Sequence, residues 1–127
     1  MKKSDTLIMV VDDEPTMCRI LERILLEEGY KVVVAMDGGK ALKLFEEHNP
    51  DVVLLDLMLP GMNGREICRR IKQISVTTRI IYLTAKAAPT DSAERKEYRI
   101  EADGYISKPA TSRQILSAIQ KVLASAG

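Results

Sequence analysis

The sequence lacks a long apolar run and has almost no excess of charge of either sign. It has no long apolar run, because the stretch that follows Lys2 and Lys3 extends only from Leu7 to Val11 before Asp12 interrupts it. That stretch is too short for a signal peptide or a membrane span. Basic and acidic side chains nearly balance, at 19 and 18, so no nucleic-acid footprint is visible. These absences predict a soluble, cytoplasmic protein without membrane insertion or direct nucleic-acid binding.

Cysteine and histidine are also scarce, which limits thiol and metal chemistry. Cys18 and Cys68 fall within helical apolar patterns and lack metal-ligand spacing, so we expect both to be reduced residues of the core. His48 stands alone at the polar end of a predicted helix, where a phosphotransfer histidine is not expected. Gly38-Gly39-Lys40 lacks the full spacing of a P-loop and favours a turn that opens a helix.

What is present indicates one globular domain, residues 1–127, with 46% hydrophobic residues and a sizeable core. Short apolar runs rich in β-branched residues alternate with segments of helical period. This pattern is typical of a parallel sheet covered by helices. The predicted strands cover residues 7–11, 31–35, 52–55, 80–83 and 105–106.

Five helices are predicted between and after these strands. The first begins at Pro15 and ends at Gly29, the second lies between Asp37 and Asn49, and the third starts at Asn63. The last opens with a capping box from Thr111 to Gln114. The apolar positions expected to face the core are Met17, Ile20, Leu21, Ile24, Leu25, Ala41, Leu44, Phe45, Ile67, Ile71, Ile74, Ile115, Leu116, Ile119, Val122 and Leu123.

Polar side chains stand where four of the strands end. Asp12 and Asp13 follow the first strand, Asp56 the third, Thr84 the fourth and Lys108 the fifth. In open sheets of this class, ligands bind at the carboxyl ends of the strands, beside the point where strand order reverses. We therefore expect these five side chains to meet at one edge of the sheet.

The same residues carry a family resemblance that covers essentially the whole chain. It resembles the receiver domains of two-component response regulators, and is similar to the single-domain chemotaxis and sporulation regulators. The motifs are Val10 to Glu14, Asp56 with Pro60 to Gly64, Leu83 to Lys86, and Tyr105 to Pro109. Each motif alone is weak, but four in order at the expected strand tips are specific. The resemblance implies a flavodoxin-like, doubly wound, five-stranded parallel sheet of order 2-1-3-4-5 with five helices.

The resemblance also implies phosphoryl transfer to Asp56, from the phosphohistidine of a sensor histidine kinase or a histidine phosphotransfer protein. Three clustered carboxylates repel one another unless a cation lies among them, and a hard divalent ion accepts oxygen ligands. Magnesium is the expected cofactor. Asp13 and Asp56 would be direct ligands, the backbone carbonyl of Met58 a third, and Asp12 would act through a bound water. The ion would neutralise phosphoryl oxygens as charge develops.

Other roles concern switching and phosphoryl lifetime. In the resembled family the threonine at Thr84 moves toward the phosphoryl group, the aromatic at Tyr105 turns inward, and a small residue such as Ala85 leaves room for the donor. Met58 and Lys86 take positions that flank the path of attacking water, where an apolar Met58 predicts slow autodephosphorylation.

Lys108 provides a point charge for a phosphoryl oxygen or for Asp56. The bond before Pro109 is cis in the family, which fixes where this lysine points. A solvated lysine, a turn role for Asp56 and an N-cap role for Asp12 and Asp13 are the ordinary alternatives.

The expected output surface is the face formed by helix four (91–100), strand five and the last helix, which would bind a downstream protein. Helix four lacks a clear apolar stripe, which predicts low stability across 90–104. It ends at Glu101, where receivers often place glycine and where the left-handed cap conformation is costly for glutamate. Arg69, Arg70 and Lys72 are interpreted as the solvated face of helix three.

The predicted function is a signalling switch, not a dedicated metabolic enzyme. A haloacid-dehalogenase-like phosphatase is one alternative, although Asp12-Asp13-Glu14 matches its Asp-x-Asp motif imperfectly. A phosphorylation-independent interaction module is another, which would predict loss of Asp13, Asp56, Thr84 or Lys108. None of these is lost.

Overall fold

The computed structural model describes residues 2–85 and 101–124. A short 3-10 helix, Lys3–Asp5, precedes the first strand. The strands are β1 (Leu7–Val11), β2 (Lys31–Ala35), β3 (Val52–Leu55), β4 (Arg79–Thr84) and β5 (Gly104–Ser107). The helices are α1 (Pro15–Glu28), α2 (Gly38–His48), α3 (Gly64–Ile74) and the C-terminal helix (Ser112–Ala124). The predicted helix at 91–100 lies outside the described residues.

The five strands form one parallel sheet of order β2-β1-β3-β4-β5, which confirms the predicted fold class and strand order. β1 pairs with β2 on one side and with β3 on the other, so the strand order reverses at β1. The register pairs Val11 with Leu55 and Thr84 with Ser107, and the carboxyl ends of β1, β3, β4 and β5 therefore reach the same edge.

The sheet is buried on both faces, which explains why β1 and β3 are continuous apolar runs. On one face Phe45 of α2 and Ile67 and Ile71 of α3 pack against the strands. On the other face Leu21 and Leu25 of α1 pack with Ile119 of the C-terminal helix. Cys18 and Cys68 are buried and free, as predicted. No helix within the described residues is long and apolar enough to cross a membrane.

Local signals set the helix ends, as predicted. Pro15 opens α1, and Gly29 ends it with φ 105°. The Asp37 side chain accepts from the Lys40 N–H to cap α2, which ends at Asn49 in the left-handed conformation. In the capping box of the C-terminal helix, the Gln114 N–H donates to Thr111 Oγ1 (3.1 Å) and the Thr111 N–H to Gln114 Oε1 (2.8 Å). β4 and β5 each extend one residue beyond the predicted bounds at both ends.

Two predicted core residues are exposed instead. Ile20 is 48% exposed, because α1 turns Cys18, Leu21 and Leu25 toward the sheet and residue 20 falls on the other side of the helix. Ile74 is 55% exposed because it is the last residue of α3, beyond the turns that pack on the sheet.

Candidate functional site

Three carboxylates meet at the carboxyl ends of β1 and β3. The Asp12 N–H donates to the Ala35 carbonyl (3.1 Å) and the Asp56 N–H to the Val11 carbonyl (3.0 Å), so the strand ladders carry both residues to the sheet edge. Ligand oxygens of Asp12, Asp13 and Asp56 lie within 4.8 Å of one another. Asp12 and Asp56 are buried, at 2% and 8% exposure, whereas Asp13 is exposed.

The two buried acids use their oxygens in the same way. Asp12 Oδ1 accepts from the Glu14 N–H (2.9 Å), and Asp56 Oδ1 accepts from the Met58 N–H (3.0 Å). These short-range bonds shape the loops that leave β1 and β3. The other oxygens, both Oδ2, accept from the Lys108 ammonium at 2.6 Å for Asp12 and 3.2 Å for Asp56.

Lys108 is placed by the end of β5. Its N–H donates to the Thr84 carbonyl (2.7 Å), and its peptide bond with Pro109 is cis. Burial of the amine disfavours its charge, but the hydrogen bond and charge of Asp12, followed by the charge of Asp56, outweigh burial and raise the Lys108 pKa. The lysine therefore lies charged between the two buried acids.

The arrangement fits a divalent cation. Three carboxylates facing one ammonium leave the site negatively charged, and an exposed Asp13 gives an ion an approach from solvent. Carboxylate oxygens are the ligands that Mg²⁺ prefers, and it keeps several waters when it binds through one or two carboxylates. The Met58 backbone lies beside Asp56, while its side chain is 63% exposed. Coordination by the Met58 carbonyl stays a prediction.

Thr84 lies on β4 and Tyr105 on β5, the two strands that follow β3 in the sheet. Thr84 is fully buried at the end of β4, and Ala85 after it is exposed. Tyr105 is half-buried and packs edge-on against Tyr82, with ring centroids 6.1 Å apart and an interplanar angle of 83°. Their switching roles stay predictions, and Lys86 lies outside the described residues.

Gly64 has a structural role that the sequence did not reveal. A Cβ added there would lie 2.5 Å from the Asp56 carbonyl oxygen and 2.7 Å from Leu57 Cα. The Gly64 N–H also donates to the Leu57 carbonyl (3.2 Å). The first turn of α3 therefore packs directly on the backbone of Asp56, which only glycine permits.

The interpretation of α3 as a solvated basic face holds for Arg69 and Arg70, which are exposed, whereas the Lys72 side chain is only 25% exposed. Arg69 pairs with Glu101 (3.2 Å) from the surface, Arg70 pairs with its i−4 neighbour on α3, and Lys72 pairs with Asp103 (2.8 Å). The acids come from the segment before β5, which a pattern within α3 does not show.

A cavity of about 340 Å³ lies at the opposite edge of the sheet, where β3 and β4 begin. Asp51 and Arg79 are the charged residues of its lining, and each already contacts another part of the protein. Asp51 accepts from the Leu7 N–H (2.9 Å), and Arg79 lies 3.6 Å from Asp103. This cavity is separate from the acidic cluster.

Comparison with known proteins identifies the family. The response regulator receiver domain model matches residues 8–120, so the chain belongs to that family. A CheY-like receiver domain from Methanospirillum hungatei JF-1 is 28% identical, with a TM-score of 0.86 and 95% of each chain covered. The response regulator TrrA from Thermotoga maritima, solved in complex with Mg²⁺-BeF, is 35% identical (TM-score 0.80, 92% of this chain and 98% of that chain covered).

A third relative supports the same assignment. The BeF3-activated DrrB receiver domain is 31% identical, with a TM-score of 0.80 and coverage of 94% of this chain and 97% of that chain. Receivers are signalling switches of two-component systems, and the family match favours this class over a haloacid-dehalogenase-like phosphatase.

Proposed function

Because the chain is a response regulator receiver domain, we propose that it accepts a phosphoryl group on Asp56 and thereby switches a protein-binding surface. The donor is a phosphohistidine of a sensor histidine kinase or a histidine phosphotransfer protein. The observation that carries this proposal is the acidic cluster with Lys108 between its two buried members. The reaction takes place in the cytoplasm and requires Mg²⁺, the ion with which TrrA was solved in complex.

The hydrogen bonds favour Asp56 over Asp12 as the acceptor. Asp12 is the more deeply buried acid, and its Oδ2 lies only 2.6 Å from the Lys108 ammonium. Asp56 Oδ2 lies 3.2 Å from the same nitrogen, and the side chain is 10% exposed. An oxygen that is less tightly paired and closer to solvent is the better nucleophile.

The transfer step follows from these positions. An Asp56 carboxylate oxygen attacks the phosphorus, the phosphorus–nitrogen bond breaks, and its electron pair returns to the imidazole nitrogen of the donor. Asp13 and Asp56 would hold Mg²⁺ directly and Asp12 would hold it through water, and the ion would supply positive charge to the phosphoryl oxygens. Lys108 changes partner from the Asp56 carboxylate to a phosphoryl oxygen, so its charge remains balanced. Thr84 donates its hydroxyl to another phosphoryl oxygen.

The change then reaches the surface through Tyr105, which turns inward as Thr84 moves. The proposed output face comprises segment 91–100, β5 and the C-terminal helix, and it binds a downstream protein. Such a response is a population shift between two states. Hydrogen exchange with and without Mg²⁺ and beryllofluoride tests the face: protection should rise across 90–104, and unchanged exchange there with changes elsewhere would place the output on another face.

Phosphorylation itself is tested by intact-mass measurement after incubation with acetyl phosphate and Mg²⁺. The wild type should gain one phosphoryl group. Asp56→Asn should gain none, because an amide does not form the acyl phosphate. Asp37→Asn is the matched control, since asparagine also caps a helix and Asp37 caps α2 away from the site. Undiminished labelling of Asp56→Asn would contradict the proposal.

A further inference from the structure

Glu101 is the most heavily paired acid outside the acidic cluster in the described part of the chain. Arg65 donates to it through two nitrogens, Nε to Oε2 (2.7 Å) and Nη2 to Oε1 (2.6 Å). Arg69 Nη2 adds a third contact to Oε1 (3.2 Å). The carboxylate is 10% exposed, so this bidentate pair is well shielded from water.

The Glu101 carboxyl group is ionised in this pair. Burial raises the Glu101 pKa, but the hydrogen bonds and charges of Arg65 and Arg69 outweigh burial and lower the pKa overall. Glu101 is therefore a carboxylate at neutral pH, and it can accept a further hydrogen bond.

That further hydrogen bond comes from the sheet. The Tyr82 hydroxyl donates to Glu101 Oε2 (3.3 Å), and burial raises the Tyr82 pKa so that the hydroxyl keeps its proton. Tyr82 is fully buried on β4, two residues before Thr84, and its ring contacts the Tyr105 ring edge-on. One continuous set of contacts thus runs from the arginines of α3 through Glu101 and Tyr82 to Tyr105.

A second acid holds the same segment in place. Asp103 Oδ2 accepts from Lys72 Nζ and from the Ile80 N–H, both at 2.8 Å, and the intervening Ala102 is 6% exposed. Arg65, Arg69 and Lys72 are spaced by four and three residues, so they lie on one face of α3. This basic face holds residues 101–103, directly before β5 and Tyr105.

We propose that Glu101 is a positioning residue that, through the Tyr82 hydroxyl, sets the orientation of Tyr105 and so connects α3 to the switch. The role of Tyr105 as a switch rests on the function proposed above. The positioning itself rests on the contacts of the resting protein. A change at Arg65 or Arg69, such as binding of an acidic partner group on α3, would therefore alter Tyr105 as well.

The test uses protein labelled with ¹³C at the tyrosine ε carbons, in which four tyrosines give four sets of ring signals. Loss of a signal in Tyr105→Phe identifies Tyr105. In resting protein, Glu101→Gln should shift the Tyr105 signal, and Tyr82→Phe should shift it in the same direction. The double variant should show no further shift beyond Tyr82→Phe, because Tyr82→Phe already removes the hydroxyl through which a change at Glu101 would reach Tyr105.

Glu66→Gln is the matched control. Like Glu101→Gln, it removes one negative charge, here from α3, and it removes a partner of Arg69 and Arg70. Glu66, however, does not accept a hydrogen bond from Tyr82. Its Tyr105 signal should remain at the wild-type position. If Glu101→Gln does not fold, Tyr82→Phe alone decides, because it keeps the carboxylate and its arginines.

Two results would overturn the inference. One is an unchanged Tyr105 signal in Glu101→Gln or Tyr82→Phe, even with a lowered melting temperature, which would make the ion pair purely structural. The other is additive shifts in the double variant, which would separate Glu101 from Tyr82. If the Tyr105 signal of the wild type does not change when Mg²⁺ and beryllofluoride are added, the proposed switch is contradicted. The spectra of the resting protein would still decide the positioning role of Glu101.

Discussion

Replacing Lys108 with methionine removes the buried ammonium that lies between Asp12 and Asp56 while keeping a side chain of similar length. The three side chains are 14%, 3% and 10% exposed, so water screens the resulting unpaired carboxylates poorly. Breaking a buried ion pair by removing one partner costs about 3–5 kcal/mol. We expect the free energy of unfolding of Lys108→Met to fall by about this amount when divalent ions are absent.

Magnesium should recover most of this loss, because the cation takes over the neutralising role of the lysine. Binding to the folded state alone also stabilises by mass action. Mg²⁺ should therefore raise the unfolding free energy of Lys108→Met more than that of the wild type. Urea unfolding at pH 7, in EDTA and in saturating Mg²⁺, measures both quantities.

The pH dependence gives the same prediction a second check. The Lys108 pKa is raised above its ordinary value of 10.5, so the stabilisation is complete below that value and is lost as pH rises through the folded-state pKa. In EDTA, the gap between wild type and Lys108→Met should stay constant from neutral pH until about 10.5 and close above it.

Lys3→Met is the control. Lys3, like Lys108, forms an ion pair, but its single partner is Glu28 and its side chain is 41% exposed. Its loss should be much smaller and independent of Mg²⁺. A loss of less than about 1 kcal/mol for Lys108→Met in EDTA, the value typical of exposed pairs, would contradict a buried ion pair at Lys108. Equal stabilisation of the variant and the wild type by Mg²⁺ would contradict the replacement of the lysine charge by the cation.

Three further predictions concern the same edge of the sheet. Mg²⁺ should raise the melting temperature of the wild type but hardly that of Asp13→Ala, and equal gains would remove Asp13 from the metal site. The acyl phosphate should last longer in the wild type than in Met58→Asn, since an apolar side chain does not orient water; faster loss from the wild type would reverse this argument. Gly64→Ala should lose about 1–3 kcal/mol in urea unfolding, because its Cβ meets the backbone of Asp56. Gly39→Ala, where the nearest atom outside the adjacent residues is 3.5 Å away, should gain about 0.4–1 kcal/mol, and similar losses in both would contradict the steric argument.

Local signals in the sequence predicted the strands, the helices and the acidic edge well, whereas the strand order was implied by the family resemblance. Continuous apolar runs specify buried parallel strands, and caps such as Asp37 and Gly29 set the ends of helices within a residue or two. Once the strands were placed, topology alone brought Asp12 and Asp56 to neighbouring tips.

The contacts that sequence reasoning missed depend on the path of the chain. Arg65 and Glu101 are 36 residues apart, and no periodicity within α3 reveals that its basic face meets an acid before β5. Gly64 was visible as part of a motif, but its approach to the Asp56 backbone depends on how the intervening loop folds. Glu101 itself was noted for the glycine it replaces, whereas its importance lies in the partners of its carboxylate.

The most direct test of the account is to locate the phosphoryl group on the chain. After phosphorylation with acetyl phosphate and Mg²⁺, borohydride reduction converts an aspartyl phosphate to homoserine, which peptide mass spectrometry can place. We expect homoserine at residue 56 and, in Asp56→Asn, at no position. Homoserine at residue 12 or 13, or an acid-stable phosphate on a hydroxyl group, would contradict it.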